Sequence, residues 1–288
     1  MIKLIALDMD GTVLGPDHTI SLQNKDAIIA AQKQGVEVII ATGRGYLDAV
    51  IAVHDADLQL PFICLNGAEW RNAIGHNIGK CSIAVQDVSK ILAVLDKYSI
   101  HYDMFINDYM YTKDKEIQIE MFMTFAPFLT AEKENTIRAE IEKRLELGLV
   151  KEVKSYNQIV KEHIDSVYKV LALSTREEAM LVAKQELDQI EGIIVTSSGK
   201  GNLEINHRAA QKGIALEKYA NNKGVSTGEM MVVGDSFNDI SMMKIAGYAV
   251  AMGNAPKEIK QFCHTVTDTN ENHGVAKAIE AVLADKIV

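Results

Sequence analysis

The stretch that most restricts this chain is Lys3-Leu4-Ile5-Ala6-Leu7-Asp8-Met9-Asp10-Gly11-Thr12-Val13-Leu14. Its apolar half reads as a strand buried on both faces, as in a parallel sheet. That strand ends on two carboxylates, Asp8 and Asp10. Acids at the end of a buried strand need to be paired, bound to metal or chemically employed. Gly11 lets the backbone turn sharply just past them. Two carboxylates so placed suit a nucleophile, a proton carrier and the ligands of a hard cation.

The same pattern recurs three times. Val36 to Ala41 is apolar apart from Glu37 and runs into Thr42-Gly43-Arg44. Phe62 to Leu65 runs into Asn66-Gly67-Ala68, and Met230 to Val233 into Gly234-Asp235. Helical stretches lie between these runs, such as Leu22 to Gln34, which Ser21 caps and Gly35 closes. Strands alternating with helices predict a parallel, doubly wound α/β sheet. In such sheets ligands bind outside the carboxyl ends of the strands. Asp8, Thr42, Asn66 and Asp235 are therefore expected to share one crevice.

The interval from Asn66 to Lys212 is far longer than the dozen or so residues a parallel crossover needs. We read 84–207 as an inserted α/β domain within a Rossmann-like core of 1–83 and 208–288. Inside the insert, Val88 to Tyr98 is predicted as a helix. His101–Ile106 and Tyr109–Lys113 form a hairpin about Asn107-Asp108. Ala131 to Leu147 is an amphipathic helix ending at Gly148. Val167–Leu173 is a strand, Arg176 to Leu187 a helix, and Ile193–Thr196 and Leu203–Ile205 two more strands. Six of the nine tyrosines (98, 102, 109, 111, 156 and 168) lie here, with Met121 to Phe125. They are candidates for a substrate pocket or for the domain's own core.

Composition narrows the function classes. With 48% hydrophobic and 24% charged residues, the chain can bury a sizeable core. A net charge of −9 argues against nucleic-acid binding, which needs a basic face. It leaves anionic small molecules open, because a divalent cation inverts the local field. The three cysteines, Cys64, Cys81 and Cys263, are scattered, as expected of reduced thiols in a cytoplasmic protein. The eight histidines include no pair at helical ligand spacing, so a soft-metal site is unsupported. The apolar run before Asp8 is too short for a signal peptide, and no later stretch is long enough for a membrane span.

Asp8-Met9-Asp10-Gly11-Thr12 resembles the first motif of the haloacid dehalogenase-like phosphatases. Thr42-Gly43-Arg44 resembles their second motif, Lys212 their third and Asp235-Ser236-Phe237-Asn238-Asp239 their fourth. All four stand in the family's order. The position of the insert, Asn66-Gly67-Ala68 before it and Met252-Gly253-Asn254-Ala255 near the end are similar to the Cof-like sugar phosphatases. Two stretches depart from that pattern: His207-Arg208-Ala209-Ala210-Gln211 before Lys212, and Asn272-His273-Gly274 near the end.

The resemblance implies roles. Asp8 would attack phosphorus and become an aspartyl phosphate. Asp10 would protonate the leaving group and then activate water, with a raised pKa suited to that task. The chemistry of the pair alone would allow the reverse assignment. Thr42, Gly43, Asn66 and Asn238 would hold phosphate, and Lys212 would face nucleophile and phosphate. Mg2+ would take Asp8, the Asp10 carbonyl and Asp235, with Asp239 supporting the metal water or Lys212. The insert would be a cap that selects substrate and excludes water. The expected protein is a magnesium-dependent phosphatase of small phosphorylated metabolites, monomer or homodimer. A phosphomutase using the same intermediate, a non-enzymatic phospho-signalling domain and a catalytically dead binding protein are the alternatives.

Overall fold

The structure, a computed structural model, describes residues 1–125, 131–163, 165–197 and 201–284. The chain forms two compact units, Met1–Lys80 with Ala210–Val288, and Cys81–Ala209. The chain passes from one to the other between residues 80 and 81 and back between 209 and 210.

The first unit is built on an eight-stranded sheet. Its order is Thr265–Val266, Tyr248–Ala251, Met230–Gly234, Leu4–Leu7, Glu37–Ala41, Phe62–Cys64, Glu69–Arg71 and Asn77–Lys80. The first six strands are parallel. Leu4 to Leu7 have no exposed surface, so both faces of this strand are covered. Leu4, Ile5 and Leu7 each contribute about 1.5–3 kcal/mol of burial. Helix Leu22–Lys33 packs on helix Gly274–Leu283, and helix Lys212–Asn222 on the short helix Ile240–Met243. The fold class is thus α/β with a doubly wound, Rossmann-like sheet, as the alternation of strands and helices required.

Local chemistry explains the boundaries. Ser21 Oγ accepts the Asn24 N–H at 3.3 Å, capping Leu22–Lys33. Buried Asn24 then ties three segments together, donating to Val13 O at 3.1 Å and accepting from Ala276 N at 3.0 Å. Two antiparallel strands at the sheet edge, Glu69–Arg71 and Asn77–Lys80, went unread in the sequence. They have three and four residues, and the register shifts between Trp70 and Arg71, so no clean alternation marks them.

The second unit has a six-stranded sheet: Ile193–Thr196, Asn202–His207, Val167–Leu173, His101–Ile106, Tyr109–Thr112 and Val150–Glu152. It is antiparallel except for its last pair. Strand residues alternate. Tyr102, Met104, Val170, Ala172, Leu203 and Ile205 join a core with helices Val85–Lys97 and Glu177–Leu187. The first of these helices starts three residues before its predicted Val88, after Ala84. Tyr102, Tyr111, Tyr156 and Tyr168 are buried and Tyr98 and Tyr109 half-buried. Tyr156 Oη donates to Tyr102 O at 2.6 Å. These tyrosines are core. The Phe122 and Phe125 side chains, also candidate pocket residues, lie outside the described residues.

Candidate active site

Strand register brings the polar strand ends together. Leu7 pairs with Val233 on one side and Ile40 on the other. Asp8, one residue on, donates its N–H to Val233 O at 3.0 Å, and Thr42 N–H reaches Ile63 O at 2.8 Å. The ends of all four predicted strands therefore lie side by side.

Lys212 is the centre of the arrangement. Its side chain has no exposed surface, and Nζ donates to Asp8 Oδ1 at 2.6 Å and to Asp239 Oδ1 at 2.7 Å. Its helix reaches this depth because Gly213 lets the backbone of Ser241 approach. A Cβ at Gly213 would stand 2.2 Å from Ser241 O. Asp239 is fully committed, since Oδ2 accepts the N–H groups of Asp235 and Ser236, both at 3.0 Å. Asp235 Oδ1 accepts the Thr12 hydroxyl at 3.0 Å. Asp235 Oδ2 lies against Gly11, whose φ is +74°, and a Cβ there would meet that oxygen at 2.5 Å. A glycine is required at this turn on both counts.

A second group of polar residues lies at the neighbouring strand ends. Thr42 Oγ1 accepts the Arg44 N–H at 3.1 Å, which leaves the hydroxyl hydrogen as a donor. Asn238 Nδ2 donates to Asn66 Oδ1 at 3.1 Å, and Gly43 lies beside both amides. Leu65 and Asn66 adopt φ of +50° and +60°. Their N–H groups bond Arg44 O at 2.9 Å and Thr42 O at 3.0 Å, locking one strand-end turn against the next. Positive φ at a leucine is strained, and such strain collects at functional sites.

The electrostatics are those of an anion-rich cleft. Asp8, Asp235 and Asp239 offer carboxylate oxygens within 4.8 Å of one another. Burial, then the charge of Asp239, raises Asp8 well above the usual carboxylate range despite Lys212. Burial and Asp239 likewise push Asp235 up to about 6. Burial opposes the charge on Lys212, but Asp239 and Asp8 outweigh it and raise its pKa. Three carboxylates thus face one lysine. Hard oxygen donors with unbalanced negative charge fit a divalent cation such as Mg2+. With Asp239 committed to Lys212 and backbone amides, the carboxylates left for it are Asp8 and Asp235.

Asp10 departs from expectation. It accepts from Arg44 Nε at 2.9 Å and Nη2 at 2.5 Å, and its side chain is 52% exposed. Burial would raise its pKa, but the hydrogen bonds and charge of Arg44 prevail and hold it below the usual range. The expected raised value assumed a neighbouring phosphate and no cationic partner. Arg44 stood next to the predicted Thr42-Gly43 and was given no role. Asn254, named only as part of the Met252-Gly253-Asn254-Ala255 stretch, was likewise given no role, and its Nδ2 donates to Gly11 O at 2.8 Å.

Known proteins match this arrangement. The model of the haloacid dehalogenase-like hydrolase family matches residues 5–279. The chain belongs to that family. It is 30% identical to Phosphatase YwpJ of Bacillus subtilis over 98% of this chain and all of that one. It is 33% identical to 5-amino-6-(5-phospho-D-ribitylamino)uracil phosphatase YwtE of the same organism over 98% of each. A haloacid dehalogenase-like hydrolase from B. subtilis superposes with a TM-score of 0.86 at 29% identity, covering 97% of this chain and 99% of the other.

Proposed function

We propose that this protein is a magnesium-dependent phosphatase that hydrolyses small phosphorylated metabolites through an aspartyl phosphate on Asp8. The observation that carries this reading is Lys212 buried between Asp8 and Asp239 with Asp235 alongside, at the carboxyl ends of four adjacent parallel strands. Phosphatase relatives aligned over nearly the whole chain support the reaction class.

Asp8, Asp10 through its backbone carbonyl, and Asp235 would hold the cation. When bound, it neutralises the phosphate and keeps Asp8 ionised. Asp8 Oδ attacks phosphorus and the ester oxygen leaves. Asp10, released from Arg44 and protonated from solvent as the leaving group takes that contact's place, gives that oxygen its proton. Asp10, now a carboxylate, takes a proton from water, whose oxygen attacks the aspartyl phosphate and frees phosphate. Thr42, the Gly43 backbone and Asn238 orient the phosphate oxygens, with Asn66 holding Asn238, and Lys212 balances charge on the nucleophile. The second unit acts as the cap, choosing the leaving group and excluding water. The substrates follow the relatives in class, a phosphate on a sugar-like or heterocyclic body. No helix among the described residues is long and apolar enough to cross a membrane.

The test is phosphate release from a panel of phosphorylated metabolites, with magnesium and with chelator. Magnesium-dependent release supports the reading. No release from any compound would overturn it.

A further inference from the structure

The second unit contains a cavity of about 410 Å³ lined by none of the residues given a role in the proposed reaction. It opens where strand His101–Ile106 begins and strand Val167–Leu173 ends, since His101 pairs with Leu173. Val167 and the chain's entry at Ile83 are bonded at the other end of the same strand, roughly 20 Å away at 3.3 Å per residue. The volume is that of an ordinary small-molecule site.

Its walls carry two cations without a carboxylate partner among the described residues, Lys113 and Arg176. Lys113 Nζ donates only to the Tyr102 hydroxyl, at 3.2 Å, and lies 5.0 Å from the ring centroids of Tyr102 and Tyr156. Arg176 Nη2 donates to the carbonyls of Tyr98 and Ser99. Both side chains keep further N–H donors unspent.

The two carboxylates in the wall keep their charge but face neutral donors, and neither is paired with Lys113 or Arg176. Asp96 Oδ1 accepts from Tyr102 Oη at 3.0 Å. Asp114 Oδ1 accepts from Glu116 N at 2.9 Å and Ile117 N at 3.1 Å. Arg176 also precedes helix Glu177–Leu187, which has no side-chain cap and carries Glu177 and Glu178 in its first turn, so the cationic side rests on Lys113 and Arg176 themselves. Ile117, Met121 and Leu173 give the remaining wall an apolar lining.

We infer that this cavity is a second ligand site, which takes a small organic anion with a compact apolar body. Lys113 and Arg176 hold the anionic head, and Ile117, Met121 and Leu173 hold the body. An occupant joins the start of helix Lys115–Phe125 to the ends of the two central strands, so a cellular anion bound here acts as an effector of the cap.

The test is methyl NMR of the full chain labelled at Ile, Leu and Met methyls, titrated with phenylphosphonate, benzoate and neutral benzyl alcohol. Saturable shifts of Ile117, Met121 and Leu173 with either anion, complete below about 10 mM, are expected for a ligand of this size. The tighter of the two anions identifies the head group. Lys113→Met and, separately, Arg176→Gln should each weaken these shifts at least about tenfold, with the rest of the spectrum unchanged. Met9, beside Asp8, reports binding at the catalytic carboxylates in the same spectra, so failure of the two readings is distinguishable. Methyls that stay still with both anions, equal response to benzyl alcohol, or shifts unaffected by both substitutions would overturn the inference.

Discussion

Replacing Lys212 by Met removes the cation that donates to both Asp8 and Asp239. Both contacts are short, at 2.6 and 2.7 Å, and the lysine is wholly buried. Taking one partner from a buried ion pair costs about 3–5 kcal/mol, because the remaining charge is left uncompensated. For a unit of this size that corresponds to a fall of roughly 6–20 °C in Tm, at ~2–4 °C per kcal/mol. The assay is thermal unfolding of wild type and variant in chelator, at pH 5 and pH 8. Asp8 already has a raised folded pKa. Stability linked to such a group is present below its unfolded value and lost as pH rises through its folded value. Without Lys212 that value rises further, so the variant's deficit should be larger at pH 8 than at pH 5. Magnesium should restore part of it by compensating Asp8, and leave the part due to Asp239. A loss below about 2 °C at pH 8, or a deficit equal at both pH values, would refute the assignment of Lys212 as the charge that holds this cluster together.

Asp235→Asn should flatten the pH dependence of stability in chelator. Asp235 is raised from 3.8 to about 6, so the wild type loses its contribution as pH climbs through that window, and the difference between the two curves should show it. Gly11→Ala should lower Tm and weaken magnesium binding measured by calorimetry, since the new Cβ displaces Asp235 Oδ2 and φ of +74° costs about 1–2 kcal/mol for any other residue. Arg44→Ala should raise the pKa of Asp10 and move the alkaline limb of the kcat/KM profile to higher pH, since Asp10 must be protonated to act as the acid; an unmoved limb would separate Arg44 from proton transfer. Tyr156→Phe should cost about 0.5–1.5 kcal/mol in the second unit without altering turnover, as it removes only the hydrogen bonds to Tyr102 O and Tyr111 O.

The sequence was most legible where one strand end carried both apolar burial and chemistry. Asp8, Thr42, Asn66 and Asp235 each follow a run too apolar to be anything but a buried strand, so their meeting needed only parallel order. Lys212 was invisible to that logic. Nothing in Gln211-Lys212-Gly213 distinguishes a buried lysine from a solvated one, and only the family's motif order singled it out. What buries it is Gly213 admitting the Ser241 backbone, a contact 28 residues distant in the chain. Arg44 and Asn254 went without roles for a related reason: each acts on a partner brought in by the fold, Asp10 and Gly11 O. Ser21, Gly35 and the Asn107-Asp108 turn were readable because caps and turns are set within a few residues. Edge strands of three or four residues, as at Glu69–Arg71, carry too little pattern to register.

The most direct test of the account is to mix enzyme, magnesium and a turned-over substrate carrying 32P, quench in acid, and map the labelled peptide. The expected result is an alkali-labile phosphoryl group on the peptide containing Asp8, absent from Asp8→Asn, which should neither take up label nor release phosphate. Turnover by Asp8→Asn at the wild-type rate, or label on a peptide without Asp8, would contradict the account.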